Sequence, residues 1–207
     1  MALANYGDLK TAVGTWLNRA DLAAYIPDFV TLGASRIYYG SKDTILPSPP
    51  VRTWSMQTSE SPTVSAASFA LPARYVSTIL LRGSDGSSYW TIDYKSPSTF
   101  AEDFSNTGHA SFYTILDNAI QLSGSQTTSI KHYYYQSFAA FSADGDTNAL
   151  LTAAPSLWLW ATILEANIFI GDDDGAKKAH RMFMSIATGL NANANEHGGG
   201  TLAMVAR

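Results

Sequence analysis

Apolar positions recur along this chain at two different periods, and the period changes twice. Leu9, Val13, Trp16 and Leu17 return at helical spacing after Asn5 and Asp8, either of which can cap a helix. Asn18-Arg-Ala-Asp21 interrupts the pattern. Pro27 then stands where a first-turn proline is welcome, and Phe29, Leu32, Arg36 and Ile37 continue one face. Gly40-Ser41 and Pro47-Ser-Pro-Pro50 end helical structure.

From 51 to 143 the period shortens to two. Short runs of β-branched and aromatic residues alternate with Gly, Ser, Asp and Pro, which predicts strands at 52–57, 78–82, 88–94, 112–116, 119–122 and 129–138. Gly83-Ser-Asp-Gly86 reads as a hairpin loop, and Asp117-Asn118 as a tight two-residue turn. A short helix is expected around Phe100. Within Tyr133-Tyr-Tyr135, alternation puts at least one ring on each face of the sheet.

Past Asp144-Gly-Asp-Thr-Asn148 the helical period returns. Residues 149–170 approach the length of a membrane span, but they contain Pro155, Glu165 and Asn167. A charge inside a span costs roughly 2.5–3.5 kcal/mol on insertion scales. A buried central helix is the better reading, because Leu157, Trp158, Trp160, Ile163, Leu164, Ile168 and Phe169 are apolar almost all round. Glu165 then needs a partner, and an arginine such as Arg36 supplies one. Gly171 ends this helix, and the three aspartates 172–174 cap the next. There, Ala176, Ala179, Phe183, Ile186 and Leu190 form a seam for packing against another helix. From Asn191 onward, Asn-Ala repeats, Gly198-Gly-Gly200 and the run to Arg207 read as a hinge carrying a mildly apolar arm. The expected fold is therefore α+β. A helical bundle is formed by the N- and C-terminal helices (1–50 and 144–192), an antiparallel β-rich domain, sandwich- or barrel-like, is inserted at 51–143, and an extended C-terminal arm occupies 193–207.

Composition narrows what such a fold does. Only 14% of the 207 residues are charged, against about 25% in ordinary soluble domains, while 46% are hydrophobic and 12% aromatic. Disorder is excluded by the aromatic content, and the net charge of −4 speaks against a basic grip on nucleic acid. The surface must consist of Ser, Thr, Asn, Gln and uncovered aromatics, as in a subunit covered by neighbours. The absence of cysteine removes disulfides, thiolate metal sites and thiol nucleophiles. The first residues lack the basic region and long apolar run of a signal peptide.

Chemical motifs are missing. There is no Gly-x-Ser-x-Gly elbow, Walker loop, His-Glu-x-x-His or dinucleotide fingerprint. His109, His132, His180 and His197 fall in four different segments; His132 reads as a polar strand-face residue and His180 as part of a solvated helix face. The 144–148 loop opens like a calcium loop, yet Ala149 replaces the required glycine and Pro155 the bidentate glutamate. A surface turn explains it better, and helix capping explains residues 172–174 without a cation. No enzyme activity, cofactor or metal is expected. Tyr38-Tyr39, Tyr89-Trp90, residues 133–135, Trp158 and Trp160 suit either a sugar-stacking platform or a protein interface.

The order of these segments resembles the adaptor (head-to-tail connector, or head-completion) proteins of tailed bacteriophages. The resemblance is carried by Asn5-Tyr-Gly-Asp-Leu9 with Trp16-Leu-Asn18, Ile26-Pro-Asp-Phe29 leading into Ala34-Ser-Arg-Ile37, and Phe69-Ala-Leu-Pro72. It continues in Tyr113-Thr-Ile115, Asn118-Ala-Ile-Gln-Leu122, Asn148-Ala-Leu-Leu151 and Leu164-Glu-Ala166, spanning residue 5 to about 190. What it implies is a structural virion protein. Such adaptors form a ring, usually twelvefold, at the head–tail junction, assembled in the host cytoplasm. The ring sits between a portal protein and a tail or nozzle protein, genome DNA passes through its lumen without sequence-specific binding, and no membrane is involved. On that reading Leu202, Met204, Val205 and Arg207 of the arm insert against the portal or an adjacent subunit. The competing expectation is a carbohydrate- or receptor-binding module of a phage tail that uses exposed Tyr and Trp.

Overall fold

The computed structural model of the protein describes residues 3–64, 67–102, 108–124 and 129–197, with side chains to Ala194. In chain order the elements are α1 (Tyr6–Leu17), α2 (Ile26–Tyr39), β1 (Gln57–Glu60), β2 (Ser68–Ala70), β3 (Tyr75–Ser84), β4 (Tyr89–Thr91) and β5 (Asp93–Tyr94). There follow α3 (Pro97–Glu102), β6 (Phe112–Leu116), β7 (Ala119–Leu122), β8 (Ser129–Gln136), α4 (Ala149–Ala153), α5 (Pro155–Ile170) and α6 (Asp173–His197). Short 3-10 turns lie at Ala20–Tyr25 and Trp54–Met56. The protein is thus α+β, and it divides into two compact units: Met1–Ser55 with Phe138–Arg207, and Met56–Ser137.

In the first unit, polar side chains fix where helices start. Asn5 rather than Asp8 caps α1, accepting from the Asp8 amide at 2.9 Å; Asn148 caps α4 through the Leu151 amide at 2.8 Å. Asp172 caps α6 by accepting from the Gly175 amide at 3.0 Å. Left-handed residues end α1 at Asn18 (φ 50°) and α5 at Gly171 (φ 75°). Helix α5 is central: its Leu157, Trp158, Leu159, Ala161, Thr162, Ile163, Leu164 and Ala166 are all buried, and α1, α2, α4 and α6 pack around it. Helix α2 crosses it at Gly33, where a Cβ would stand 3.2 Å from the Ala161 carbonyl carbon and 3.3 Å from its Cβ. One turn on, the Arg36 guanidinium donates to Glu165 at 2.5 Å and to the Leu46 carbonyl at 3.0 Å. The expected partner of Glu165 is the observed one, and the pair is almost wholly buried.

The segment after α2 is fastened to α6. His180 Nε2 lies 2.7 Å from the Pro47 carbonyl oxygen, and Asn191 accepts from the Arg52 amide at 2.7 Å while donating to the Pro50 carbonyl at 3.1 Å. These contacts correct two expectations. His180 is half-buried and bonded rather than on a free solvated face. Asn191 does not begin a hinge, since α6 runs on to His197. They also explain why 52–57 is not a strand. The Arg52 amide is committed to α6, so the chain makes a 3-10 turn before β1.

The second unit holds two four-stranded sheets, ordered β1-β8-β3-β4 and β2-β7-β6-β5. Phe69, Leu81, Ile92, Tyr113, Ile120, Leu122 and Ile130 come from both sheets and form one apolar cluster, as in a small sandwich. Among the described residues every strand pairing is antiparallel except β5 with β6, which is parallel; here the all-antiparallel expectation is corrected. The predicted strand at 88–94 is split at buried Ile92, whose amide bonds the Leu81 carbonyl (2.9 Å) while the Asp93 amide bonds that of Ser111 (3.0 Å). One strand therefore starts in the first sheet and finishes in the second. Strand β2 was not legible, being too short to show alternation. The β6–β7 turn is Asp117-Asn118, both left-handed (φ 49° and 58°), the primed geometry that a two-residue hairpin needs. In β8, Ile130, His132 and Tyr134 face the core and Lys131 faces outward.

Candidate functional site

The helical unit carries more large apolar side chains than its core takes in. Trp16, placed by its spacing on the buried face of α1, is 57% exposed, and Leu32 of α2 is uncovered as well. At the end of α5, Phe169 is 58% exposed and Ile168 is uncovered, although the sequence reads this helix as buried all round. Two of these exposed rings pack on aromatic neighbours. Trp16 meets Trp160 edge-on, with centroids 5.3 Å apart. Phe169 lies 5.5 Å from Tyr25 and 5.3 Å from Phe29. Leu17 and Ile170 join the two groups, because both line the cleft beside Trp16 and both pack on Leu22, Phe29 and Ala166.

The cleft has a volume of about 410 Å³, with Trp16, Trp160, Ile163 and Ile170 on its apolar side and Arg19 and Lys178 at its rim. Arg19 forks onto Asp21 through bonds of 2.9 and 2.7 Å, which hold the Asp21 carboxyl below the ordinary carboxylate range. Asp172, also at the rim, is spent on capping α6. Nothing here pairs a nucleophile with a base. An aromatic face beside two cations is suited to being covered by protein, where Tyr, Trp and Arg concentrate.

Other residues singled out by the sequence sit elsewhere. Of the α6 seam, Ala176, Ala179 and Phe183 are buried, Ile186 and Leu190 half-buried, and Ala187 and Ala194 continue the buried line along α6. Leu202, Met204, Val205 and Arg207 lie outside the described residues. The 144–148 loop is a junction. Asp144 pairs with Lys10 at 2.6 Å, and Asp146 accepts from the amides of Ser142 and Ala143 at 2.6 and 2.8 Å, which pulls its pKa down. The loop carbonyls of Asp144 and Asp146 take the first amides of α1, both at 2.8 Å.

His132 needs correcting too. It points into the β core instead of standing on a polar face, with Nε2 3.0 Å from Thr78 Oγ1 and its ring 4.8 Å from that of Tyr134. Nδ1 lies 3.5 Å from Glu60 Oε1 yet has no hydrogen-bond partner, and burial pushes the imidazole pKa down to about 4. A histidine this reluctant to protonate is a poor base. Among the described residues no group of three His, Asp or Glu is placed to hold a metal ion, and no helix is long and apolar enough to cross a membrane.

Sequence reasoning did not find the aromatic face as a surface. Its only signal is arithmetic: a chain with so few charges holds more aromatic residues than one small core can cover. No curated protein matches the chain at a significant level. The family model described as SU10 adaptor protein matches residues 4–203, extending the resemblance through the Gly-rich segment at 198–200. The chain belongs to the SU10 adaptor protein family, and so to the structural adaptor proteins of phage virions rather than to a family of enzymes.

Proposed function

We propose that this protein is the subunit of a ring that joins the portal vertex of a phage head to the tail and lines part of the DNA channel. The ring is twelvefold on the family resemblance, with a portal protein on one side and a tail or nozzle protein on the other. The observation that carries this reading is the uncovered aromatic face of Trp16, Tyr25, Ile168 and Phe169, on a unit whose core is already closed without it. Such a face suits repeated contact between copies. Each contact can be weak, because closing a ring makes them act together. The net charge of −4 agrees, since a lumen without a basic lining does not hold passing DNA by counterion release. The α6 seam contributes packing within this arrangement, and the arm residues Leu202, Met204, Val205 and Arg207 insert against the portal or an adjacent copy.

Negative-stain microscopy of the protein mixed with its portal tests this directly. Rings seated on portals are expected, and they should be lost when Trp16 and Phe169 are both changed to Asp. Truncation after Asn195 should weaken the same assembly. Portals that stay bare with the unaltered protein would overturn the reading.

A further inference from the structure

The outer face of the β1-β8-β3-β4 sheet places two cations directly opposite one another. Arg82 of β3 pairs in register with Lys131 of β8, and the next pair on the same face of these strands is Ser84, which is buried, with Ser129, which is exposed. Like charges at facing positions destabilise a sheet unless an anion lies between them. Among the described residues, neither Arg82 nor Lys131 has a carboxylate within salt-bridge distance. The nearby Asp85 is taken up by its own turn, accepting from the amides of Ser87 and Ser88 at 2.9 and 2.7 Å. In a chain with 13 basic and 17 acidic residues, an opposed and unneutralised basic pair is conspicuous.

The surroundings narrow the chemistry of what would neutralise it. A cleft of about 400 Å³ opens over the pair, flanked by Tyr89 and Tyr133. The Arg82 guanidinium stacks 5.1 Å from the Tyr89 ring centroid, and Tyr89 itself is 71% exposed. Two cations at facing positions suit one anionic group better than a series of phosphates. The net negative charge of the chain would repel nucleic acid at long range. Among the described residues that line it, the cleft carries hydroxyls but no carboxylate or side-chain amide, so its charge-assisted bonds can go only to an anion and not to a neutral saccharide. An acidic side chain, with neighbouring apolar atoms against the two tyrosine rings, uses both cations and both rings.

We infer that this face is a docking site for a polypeptide segment of a partner protein that presents a single Asp or Glu carboxylate between Arg82 and Lys131. The choice of polypeptide rests in part on the adaptor reading, whereas the anion site stands on the sheet register alone. The test titrates the full-length protein at low ionic strength, following the tyrosine ring resonances assigned with Tyr89→Phe and Tyr133→Phe. The probes are acetyl-Ala-Leu-Glu-Leu-Ala-amide, its Gln analogue, a glucuronate-containing tetrasaccharide and a short DNA duplex. The Glu peptide should shift both rings and bind about tenfold more tightly than the Gln analogue, because the bonds it makes are charge-assisted. Arg82→Gln and Lys131→Gln should each abolish that preference while leaving the remaining tyrosine spectrum unchanged. Equal binding of the two peptides, no shift with either, or tighter binding of the saccharide or DNA would overturn the inference. Preference for the Glu peptide alongside failed assembly on the portal would sink the adaptor reading and leave the anion site standing.

Discussion

The two units solve the problem of uncovered surface in opposite ways. The helical unit is closed by both ends of the chain and buries one ion pair, yet leaves Trp16, Tyr25, Ile168 and Phe169 in solvent. The β unit is one continuous stretch; it hides a histidine in its core and shows a basic pair framed by tyrosines outside. An apolar face gains from contact with almost any complementary apolar face, while a charged pair gains only from the right anion. The first is thus suited to strength and the second to discrimination. Within one chain the two properties are kept apart.

The largest expected effect lies in the helical unit. Glu165→Gln or Arg36→Met leaves a buried charge without its partner and should cost about 3–5 kcal/mol, whereas an apolar double substitution of similar volume should regain most of that loss. Denaturant unfolding followed in the helical unit checks both.

Acid should single out the β unit instead. The His132 pKa is about 4 in the fold against 6.5 for the free side chain, so between those values the unfolded chain binds the proton and the native chain does not. The contribution of His132 is complete above pH 6.5 and falls toward pH 4, by on the order of 3 kcal/mol. Glu60, whose pKa burial raises, acts in the opposite sense as it takes up its own proton, offsetting part of the loss. Hydrogen exchange across this range should show β8 opening before α5, and His132→Leu should flatten the dependence.

Gly83→Ala comes next. Its Cβ would stand 2.7 Å from the Trp90 ring, overpacking that costs about 1–3 kcal/mol, and loss of stability should appear in the β unit alone. Asn148→Ala removes the α4 cap at about 1 kcal/mol, measurable in thermal unfolding. Last in stability is Trp16→Ala, which removes a mostly exposed ring and its edge-on contact with Trp160 and should cost about 0.5–1.5 kcal/mol. Its signature is the contrast between that modest change and a marked loss of ring assembly.

What the sequence made legible divides along the same line. Helix ends marked by Asn5, Asn148, Gly171 and Asp172 were readable because capping is local chemistry. The Arg36–Glu165 pair was readable because a charge inside an apolar helix requires a partner. Asp117-Asn118 was readable because few residues accept a left-handed turn. Hidden were features that depend on which strand lies beside which: the parallel β5–β6 pair, the change of sheet at Ile92, and the Arg82–Lys131 opposition. Alternation gives a residue its face but not its neighbour across the ladder. The exposed aromatics were misplaced for a related reason. Helical periodicity ranks positions by hydrophobicity and cannot tell when a core is already full.

The β unit begins and ends on strands that pair with each other, Gln57 facing Tyr135 in the β1–β8 register. Its two chain ends therefore leave side by side, about 5 Å apart, as the ends of a hairpin do. A segment anchored in this way can be lengthened, exchanged for another or reduced to a short turn without asking the flanking helices to span a new distance. In an adaptor protein this makes the β unit an exchangeable cassette, replaceable by recombination at two neighbouring points.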